Sequence, residues 1–253
     1  MSPTNAHGQP IGEPVPDWEP RLPPAQTTLT GRYVGLEPVA ATHAPALFAA
    51  LAAEEDDASW TYRHDERPTD EAGMQALVET WSSRPVDVTY AILPADTGTA
   101  AGVATLTRID PAHGSAEVGA ILYGRALKRS RAATEAIHLL ARYLFDDLGY
   151  RRFEWKLDCL NEPSARAARR LGFTYEGRFR NAMVYKSRNR DTDWFAMTDG
   201  DWPRIRDAHE RWLDPANFDA AGVQRTSLSD LTGGFETVAA QPPQPPNRPP
   251  VAG

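Results

Sequence analysis

The stretch "AATEAIHLLARYLFDDLGYRRFEWKLD", residues 132–158, decides the fold of this chain. From Ala133 to Leu148 its apolar residues recur with the spacing of one face of an α-helix. Gly149 is placed to end that helix, and residues 151–158 then alternate apolar and polar side chains as a strand does. Since another strand-like run precedes the helix, the pattern predicts a strand–helix–strand crossover with parallel strands.

The same periodicities, followed outward from the crossover, predict the other elements. Strands are expected at residues 30–39, 88–93, 101–110 and 115–123 before the crossover helix, and at 173–186 and 191–198 after it. Helices are expected at residues 43–54 and 69–81, after Asn161 and from Trp202. The sequence predicts an α+β fold in one domain, with a mixed, mostly antiparallel, twisted sheet of about seven strands flanked by about four helices.

Composition divides the chain into a body and two ends. Residues 1–27 are rich in proline and are expected to be disordered, and residues 214–253 form a polar to proline-rich tail, so the domain is expected at 28–213. No leader and no apolar run of membrane-spanning length is present, which predicts a cytoplasmic protein without a membrane partner. The single cysteine, Cys159, excludes a multi-cysteine metal site, and we expect no metal.

Charge is concentrated in one part of the chain. Residues 125–190 carry 16 lysines and arginines against 7 acidic residues, although the whole chain has a formal net charge of -7. This basic part could hold a polyanion, or it could be a solvated surface without a ligand. It has no helix-turn-helix, zinc-finger or RNP-type motif, so we do not expect nucleic acid as the partner. A small ligand with several phosphates fits the charge equally well.

The basic run "LKRSRAATEAIHLL", residues 127–140, lies where a strand gives way to the crossover helix. Unpaired backbone N–H groups and the helix dipole favour an anion at such a point. Lys128, Arg129 and Arg131 add positive charge there, which by itself disfavours the helix. An anionic ligand would relieve that conflict, so the sequence predicts an anion site at this helix start.

The order of elements, together with "SAEVGAIL", "LKRSRAATEA" and "NEPSARAARRLGF", resembles the GCN5-related N-acetyltransferases. The branch it is most similar to includes the ribosomal-protein N-terminal acetyltransferases, and the resemblance covers residues 30–198. It implies acetyl-coenzyme A as co-substrate and direct transfer of the acetyl group to a primary amine.

The resemblance also implies which residues hold the cofactor. In the family, a turn of pattern Arg/Gln-x-x-Gly-x-Gly/Ala binds the pyrophosphate through backbone amides. Here Lys128 stands at the first position, Arg131 at the glycine and Ala133 at the last, so two positions depart from the pattern, and the Arg131 guanidinium could bind phosphate itself. The implied cofactor-binding residues are Val118, Ile121, Lys128, Arg129, Ser130, Arg131, Ala132, Ala133 and Asn161.

Two catalytic residues follow from the same comparison. Glu117 is the glutamate that the resemblance implies as general base, although a solvent-facing position on an edge strand would also explain it. The family's more common tyrosine acid is absent, since Ala168 stands at its place. In the branch with Asn-x-x-Ser the serine is the substitute, so Ser164 is the candidate that assists the leaving thiolate. Asn161 and Ser164 could equally serve only as a helix cap.

The acceptor site is predicted from two runs. "WTYRHDE", residues 60–66, falls in a region that lines the acceptor cleft in the family, which makes Trp60 and Tyr62 candidates, although a packed loop would look the same. In "KSRNRDTDW", residues 186–194, Asp191 and Asp193 could attract an amine. The acceptor is expected to be a small-molecule amine or a peptide N-terminus, and the protein a monomer or homodimer.

Other chemistries lack their usual motifs. The sequence contains no G-x-G-x-x-G, G-x-x-x-x-G-K-[ST], H-E-x-x-H or G-x-S-x-G, and His138 is expected on the exposed face of its helix. The departures in the phosphate turn and the missing tyrosine keep one alternative open, a non-catalytic acyl-coenzyme A binding or interaction module.

Overall fold

The computed structural model describes residues 3–53 and 57–233. Within them the strands are β1 Leu29–Thr30, β2 Val34–Pro38, β3 Val88–Pro94, β4 Gly102–Asp110, β5 Ser115–Tyr123, β6 Arg152–Asp158, β7 Thr174–Tyr185 and β8 Arg188–Thr198. They form one sheet in the order β1-β2-β3-β4-β5-β6-β8-β7. Among these pairs β5 and β6 are parallel and the others antiparallel, as the crossover predicts.

Helices cover both faces of the sheet. The described α-helices are α1 Ala44–Leu51, α2 Glu71–Ser82, α3 Arg131–Arg142, α4 Glu162–Arg170, α5 Trp202–Leu213 and α6 Leu228–Leu231. No helix in the described part of the chain is long and apolar enough to cross a membrane. The predicted α+β fold is confirmed, and β1 is the strand that the sequence missed, because two residues are too short to show a period of two.

The helix α3 forms where the sequence predicts it and continues through a π-helical segment, Tyr143–Asp147. Ser130 caps its start by accepting a hydrogen bond from the Ala133 N–H at 3.0 Å. Gly149 adopts a left-handed φ of 67° and turns the chain into β6. With α5, α3 packs its apolar residues into the larger of two core clusters, while α1 and α2 pack into the smaller one.

The position of His138 corrects the expectation of an exposed side chain. It is 5% exposed and lies 5.7 Å from the Trp202 ring and 5.6 Å from the His209 ring, centroid to centroid. Burial lowers the pKa of His138 to about 4 and that of His209 to about 3. The sequence prediction failed because α5 covers the polar face of α3, and helical periodicity cannot show such a cover.

The N-terminal segment also differs from the expectation of disorder. The Trp18 indole donates to the Ala112 carbonyl at 2.9 Å, and the Arg21 side chain donates to the Gly149 carbonyl at 3.1 Å. The Trp18 ring occupies the space where a Cβ at Gly114 would stand, 2.5 Å away. Since proline fixes φ without abolishing packing, a proline-rich segment can follow the surface in one conformation.

The described residues that follow α5 are part of the body as well. Leu228 on α6 is fully buried, and Asn217 is hydrogen-bonded to Trp212 and Thr226. The expected boundary at residue 213 therefore falls before residues that pack against the domain. The proline-rich run near the end of the sequence lies outside the described residues.

One interruption of the sheet determines where a ligand can enter. The parallel pairing of β5 with β6 runs from Ser115 opposite Arg152 to Glu117 opposite Glu154 and stops there. Beyond this point the two strands have no ladder between them, so the edge of β5 that faces β6 carries backbone groups without strand partners. Near the same point β5 contains a bulge, at which Ala120 has a φ of 50°.

Candidate active site

A cavity of about 870 Å³ opens where β5 and β6 separate, between the chain around residues 58–65 and the β7–β8 hairpin. It brings together seven of the residues that the sequence singled out: Tyr62, Glu117, Val118, Ile121, Lys128, Asn161 and Ser164. Residues far apart in sequence therefore meet in one space, as the crossover and the meander predict.

Glu117 lies at the point where the strands diverge. Its side chain is buried, and Oε2 is 2.7 Å from Nζ of Lys156 and 3.6 Å from Nε of Arg108. Burial raises the pKa of Glu117 above its usual range, and the two cations only partly oppose that shift. A carboxylate with a raised pKa is a better proton acceptor than an exposed one, which suits a general base.

Ser164 lies across the cavity on the first turn of α4. Its backbone N–H donates to Oδ1 of Asn161, so Asn161 caps the helix, which is one of the two roles that the sequence allows for this pair. Its Oγ accepts a hydrogen bond of 2.9 Å from the Trp155 indole. Because a hydroxyl can accept and donate at once, the Ser164 hydrogen stays available for another acceptor. Capping and a contact with substrate are therefore compatible.

The turn before α3 has the features of an anion site. Arg129 adopts a left-handed φ of 62°, and Ser130 occupies the cap, so the first N–H groups of α3 have no partner within the helix. Lys128 lines the main cavity and a neighbouring one of about 400 Å³, and its Nζ donates to Oγ of Ser59 at 2.9 Å. The positive end of the α3 dipole and the charge of Lys128 would both attract an anion to this region.

Arg131 does not point toward that region. Its guanidinium carbon lies 4.8 Å from the ring centroid of Tyr33 and 4.6 Å from that of Phe218. The side chain is held between two aromatic rings, on the side of α3 where the residues after α5 pack. The expectation that its guanidinium binds phosphate is therefore corrected, and its backbone N–H remains part of the helix start, with those of Ala132 and Ala133.

Two predicted acceptor residues lie outside the cavity lining. Trp60 is buried, and its indole donates to the Leu51 carbonyl at 3.0 Å. Asp191 accepts hydrogen bonds from the Asn181 N–H and the Asn189 side chain, on the face of β8 that points away from the cavity. These bonds lower the pKa of Asp191 below its usual range. Neither residue is retained as a substrate contact.

Asp193 is also paired within the protein, with an arginine of β7. Its carboxylate accepts two hydrogen bonds from the Arg178 guanidinium, at 2.6 and 3.0 Å. Strand alternation explains the result, since residues 191 and 193 share one face of β8 and residues 190, 192 and 194 share the other. The sequence pattern predicts acidic residues near the acceptor but not the face of β8 on which they lie.

Arg63 is a site residue that the sequence did not predict. Its guanidinium donates to the Ala120 carbonyl at 2.5 Å and to Oδ2 of Asp65 at 2.6 Å. Its guanidinium carbon lies 5.5 Å from the Trp60 ring and 5.4 Å from the Trp81 ring. A buried arginine thus holds the β5 bulge that forms the cavity wall. Its signal in the sequence was its place within "WTYRHDE", between aromatic residues.

Among the described residues, no group of three or more histidine, cysteine, aspartate or glutamate side chains is placed to hold a metal ion.

Comparison with known proteins places this geometry in a family. A family model described as an acetyltransferase (GNAT) domain matches residues 34–174. A GCN5-related N-acetyltransferase from Brucella melitensis is 42% identical, with 86% of this chain and 99% of that one covered and a TM-score of 0.84. No curated protein matches.

Two more distant structures share the fold. One, from Vibrio cholerae, is provisionally named a ribosomal-protein-serine acetyltransferase and is 18% identical, with 68% of this chain and 97% of that one covered and a TM-score of 0.59. The other is the microcin C7 self-immunity acetyltransferase MccE, solved with acetyl-CoA and AMP, at 20% identity, 66% and 93% coverage and a TM-score of 0.58. The matched domain, the identity to the Brucella protein and the shared architecture show that this chain belongs to the GNAT family of acetyltransferases.

Proposed function

We propose that this acetyltransferase uses acetyl-CoA as co-substrate and transfers the acetyl group to a primary amine by direct attack, without an acetyl-enzyme. The observation that carries the proposal is that Glu117, Ser164 and Lys128 all line one cavity. The reaction needs a proton acceptor, a hydroxyl donor and a site for the anionic part of the cofactor. Glu117, Ser164 and Lys128 would supply these in turn.

The chain offers a fitting surface for coenzyme A. Beyond Glu117 the edge of β5 that faces β6 has no strand partner, and an extended ligand with amide groups can pair with such an edge. The start of α3, with residues 128–133, would receive the pyrophosphate, and Val118, Ile121 and Asn161 would contact the rest of the arm. The acetyl-CoA held by MccE, which shares the fold, supports this choice.

Glu117 would take the proton of the amine. An amine of lysine type has a pKa near ~10.4 and an α-amino group one near ~7.7 to 8, so most of the acceptor arrives protonated at neutral pH. The carboxylate of Glu117, directly or through water, would first accept a proton from the ammonium and pass it to solvent, which frees the lone pair of the nitrogen. The neutral amine would then form its bond to the acetyl carbon, and the proton that it loses on becoming an amide would balance the one that the departing sulfur takes up. Burial favours this role because it raises the pKa of Glu117.

Ser164 would assist the departing thiolate. The bond between the acetyl carbon and sulfur breaks, and the Ser164 hydroxyl is oriented by the Trp155 indole so that its hydrogen can reach an anionic acceptor. A backbone N–H of Val118 or of its neighbours on β5 would polarise the thioester carbonyl, as an oxyanion hole does.

The acceptor would be a peptide N-terminus or a small amine, approaching from the side of Tyr62 and the β7–β8 hairpin. We further propose that the enzyme acts in the cytoplasm as a monomer or homodimer.

The test is a thiol-release assay with acetyl-CoA and a panel of amines that includes short peptides with free N-termini. We expect free coenzyme A to appear only when an amine is added, in amounts equal to the acetylated product. Acetyl-CoA that raises the melting temperature without any release of coenzyme A, across the whole panel, would instead show a binding module that does not catalyse transfer.

A further inference from the structure

One face of β8 presents three residues to the cavity. Arg190, Thr192 and Trp194 alternate along the strand and all line the same space. Each carries a buried polar atom that has no hydrogen-bond partner among the described residues: Nε of Arg190, Oγ1 of Thr192 and Nε1 of Trp194. Since buried polar groups in folded proteins are nearly always hydrogen-bonded, this face of β8 is built to bind a polar group.

The charge on that face is uncompensated. Arg190 is 9% exposed, and within residues 3–53 and 57–233 it forms no ion pair. Two of the three acidic residues of the cavity are paired with cations, Asp65 with Arg63 at 2.6 Å and Glu117 with Lys156 at 2.7 Å. The third, Asp158, accepts a hydrogen bond of 2.7 Å from the Tyr185 hydroxyl and forms no ion pair with Arg190 in the described part of the chain. A buried cation without a partner is costly, so an anion that pairs with Arg190 is favoured.

Arg190 lies on the β7–β8 hairpin and near the chain before α2. Its guanidinium carbon lies 5.7 Å from the Tyr185 ring centroid, and that ring contacts the His64 ring at 5.4 Å. Burial and then the nearby Arg190 charge lower the pKa of His64, so this histidine adds no cation at neutral pH. Tyr185 belongs to the hairpin and His64 to the chain before α2, which places Arg190 on the acceptor side.

We infer that the acceptor carries an oxyanion, a carboxylate or a phosphate, in addition to its amine, and that Arg190 with Thr192 and Trp194 binds it. Arginine and indole N–H groups are obligatory donors, and a hydroxyl can donate, so the three together match an acceptor-only group with several oxygens. The inference rests on the proposed function, since it names the class of amine that the same cavity takes.

The experiment compares matched amines that differ only in the oxyanion. The pairs are L-serine with L-serinamide, phosphoethanolamine with ethanolamine, and the C-terminal amides of Ser-Glu with Ser-Gln. For the wild-type enzyme, kcat/KM corrected for the fraction of uncharged amine should be about 10- to 100-fold higher for the anionic member of at least one pair. The pair with the largest ratio identifies the oxyanion and its distance from the amine.

The variant Arg190→Gln should lose this preference mainly through a higher KM for the anionic amine, with little change for its neutral partner. Arg180→Gln is the matched control, because Arg180 is an exposed arginine of the same hairpin that does not line the cavity. Arg190→Lys should keep part of the preference, since it keeps the charge but not the planar donor group.

Binding is measured in parallel, as the shift in melting temperature that each amine causes in the presence of coenzyme A. A larger shift for the anionic amine in wild type, lost in Arg190→Gln, supports the subsite even if turnover is slow. Equal rates and equal shifts for both members of every pair overturn the inference while leaving the proposed reaction intact. Anion-dependent shifts without release of coenzyme A from any amine would instead overturn the proposed reaction.

Discussion

Glu117 combines two properties that oppose each other. Its burial at the divergence of β5 and β6 raises its pKa, which helps a base, and the same burial makes its ionised form costly for the fold. Lys156 reduces that cost through a contact of 2.7 Å without removing it. The carboxylate therefore lowers the stability of the fold at neutral pH while it serves the proposed reaction.

We predict that Glu117→Gln lowers kcat by about 10²- to 10⁴-fold and removes the acidic limb of the pH profile. The matched control is Glu154→Gln, because Glu154 contacts the same Lys156 at 3.0 Å but does not line the cavity. The control should stay within several-fold of wild type. An unchanged rate in Glu117→Gln at every pH would exclude this residue as the base.

The same variant separates catalysis from folding. A group whose pKa is raised in the folded state contributes stability below its unfolded pKa and loses that contribution as pH rises through the folded value. Glutamine does not titrate, so the free energy of unfolding of Glu117→Gln relative to wild type should increase from pH 4 to neutral pH. Urea titrations over that range measure the difference. A relative stability that falls with pH would show that the contacts with Lys156 and Arg108 dominate.

At the scale of elements, the bulge in β5 depends on a contact from another part of the chain. Ala120 adopts a φ of 50°, a conformation that is uncommon for a residue with a Cβ, and the Arg63 guanidinium holds its carbonyl. Because this bulge shapes the strand edge in the cavity, Arg63 is a positioning residue for the β5 amides.

We predict that Arg63→Met, which keeps the apolar stem between Trp60 and Trp81, lowers kcat at least tenfold and changes the KM for acetyl-CoA less. Arg63→Lys should recover part of the rate, because an ammonium can still donate to the Ala120 carbonyl. Arg67→Met provides the control, since Arg67 bonds to Asp57 and Ala52 and not to β5. Steady-state kinetics measure kcat and KM for each variant. Equal losses of kcat in Arg63→Met and Arg67→Met would contradict the positioning role of Arg63.

Periodicity predicted the elements well and their surroundings less well. The α3 pattern and the alternation in β6 depend on local spacing, and the structure confirms both. The burial of His138 beneath α5 and the engagement of Arg131 by Tyr33 and Phe218 depend on contacts between distant segments. No spacing rule within one helix contains that information.

The residues of the candidate site divide in the same way, into those that local motifs predict and those that depend on contacts between distant segments. Glu117, Lys128, Asn161 and Ser164 were predicted because they stand in recognisable local motifs, and all four line the cavity. Arg63 and Arg190 were missed because an arginine in a charged run looks like a solvated one until the neighbouring strands are known. The faces of β8 were assigned by the fold, which turned Asp191 outward and Arg190 inward.

At the scale of the molecule, the N-terminal segment packs where the neighbouring strands β5 and β6 begin. Trp18 packs on Gly114 in the β4–β5 turn, and Arg151 after α3 lies 5.4 Å from the same ring. The Arg21 side chain donates to the carbonyl of Gly149, the residue that follows the helix of the crossover. The segment thus contacts the chain at the start of both strands of the strand–helix–strand unit, outside the cavity.

We predict that Trp18→Ala lowers the free energy of unfolding by about 1–3 kcal/mol and leaves the kcat/KM of acetyl transfer within twofold of wild type. Leu22→Ala is the matched control, since Leu22 is 75% exposed in the same segment. Thermal or denaturant unfolding measures the effect. A Trp18→Ala protein as stable as the control would show that these contacts do not stabilise the domain.

Where β5 and β6 diverge, the sheet lacks the hydrogen bonds that would join its two halves. The two halves share only the pairs that end at Glu117 and Glu154, so an extended ligand seated between them would act as a surrogate strand. Any molecule that binds only the folded form raises its stability with concentration. The free energy of unfolding of this protein would then rise and fall with the concentration of its own acyl donor in the cell.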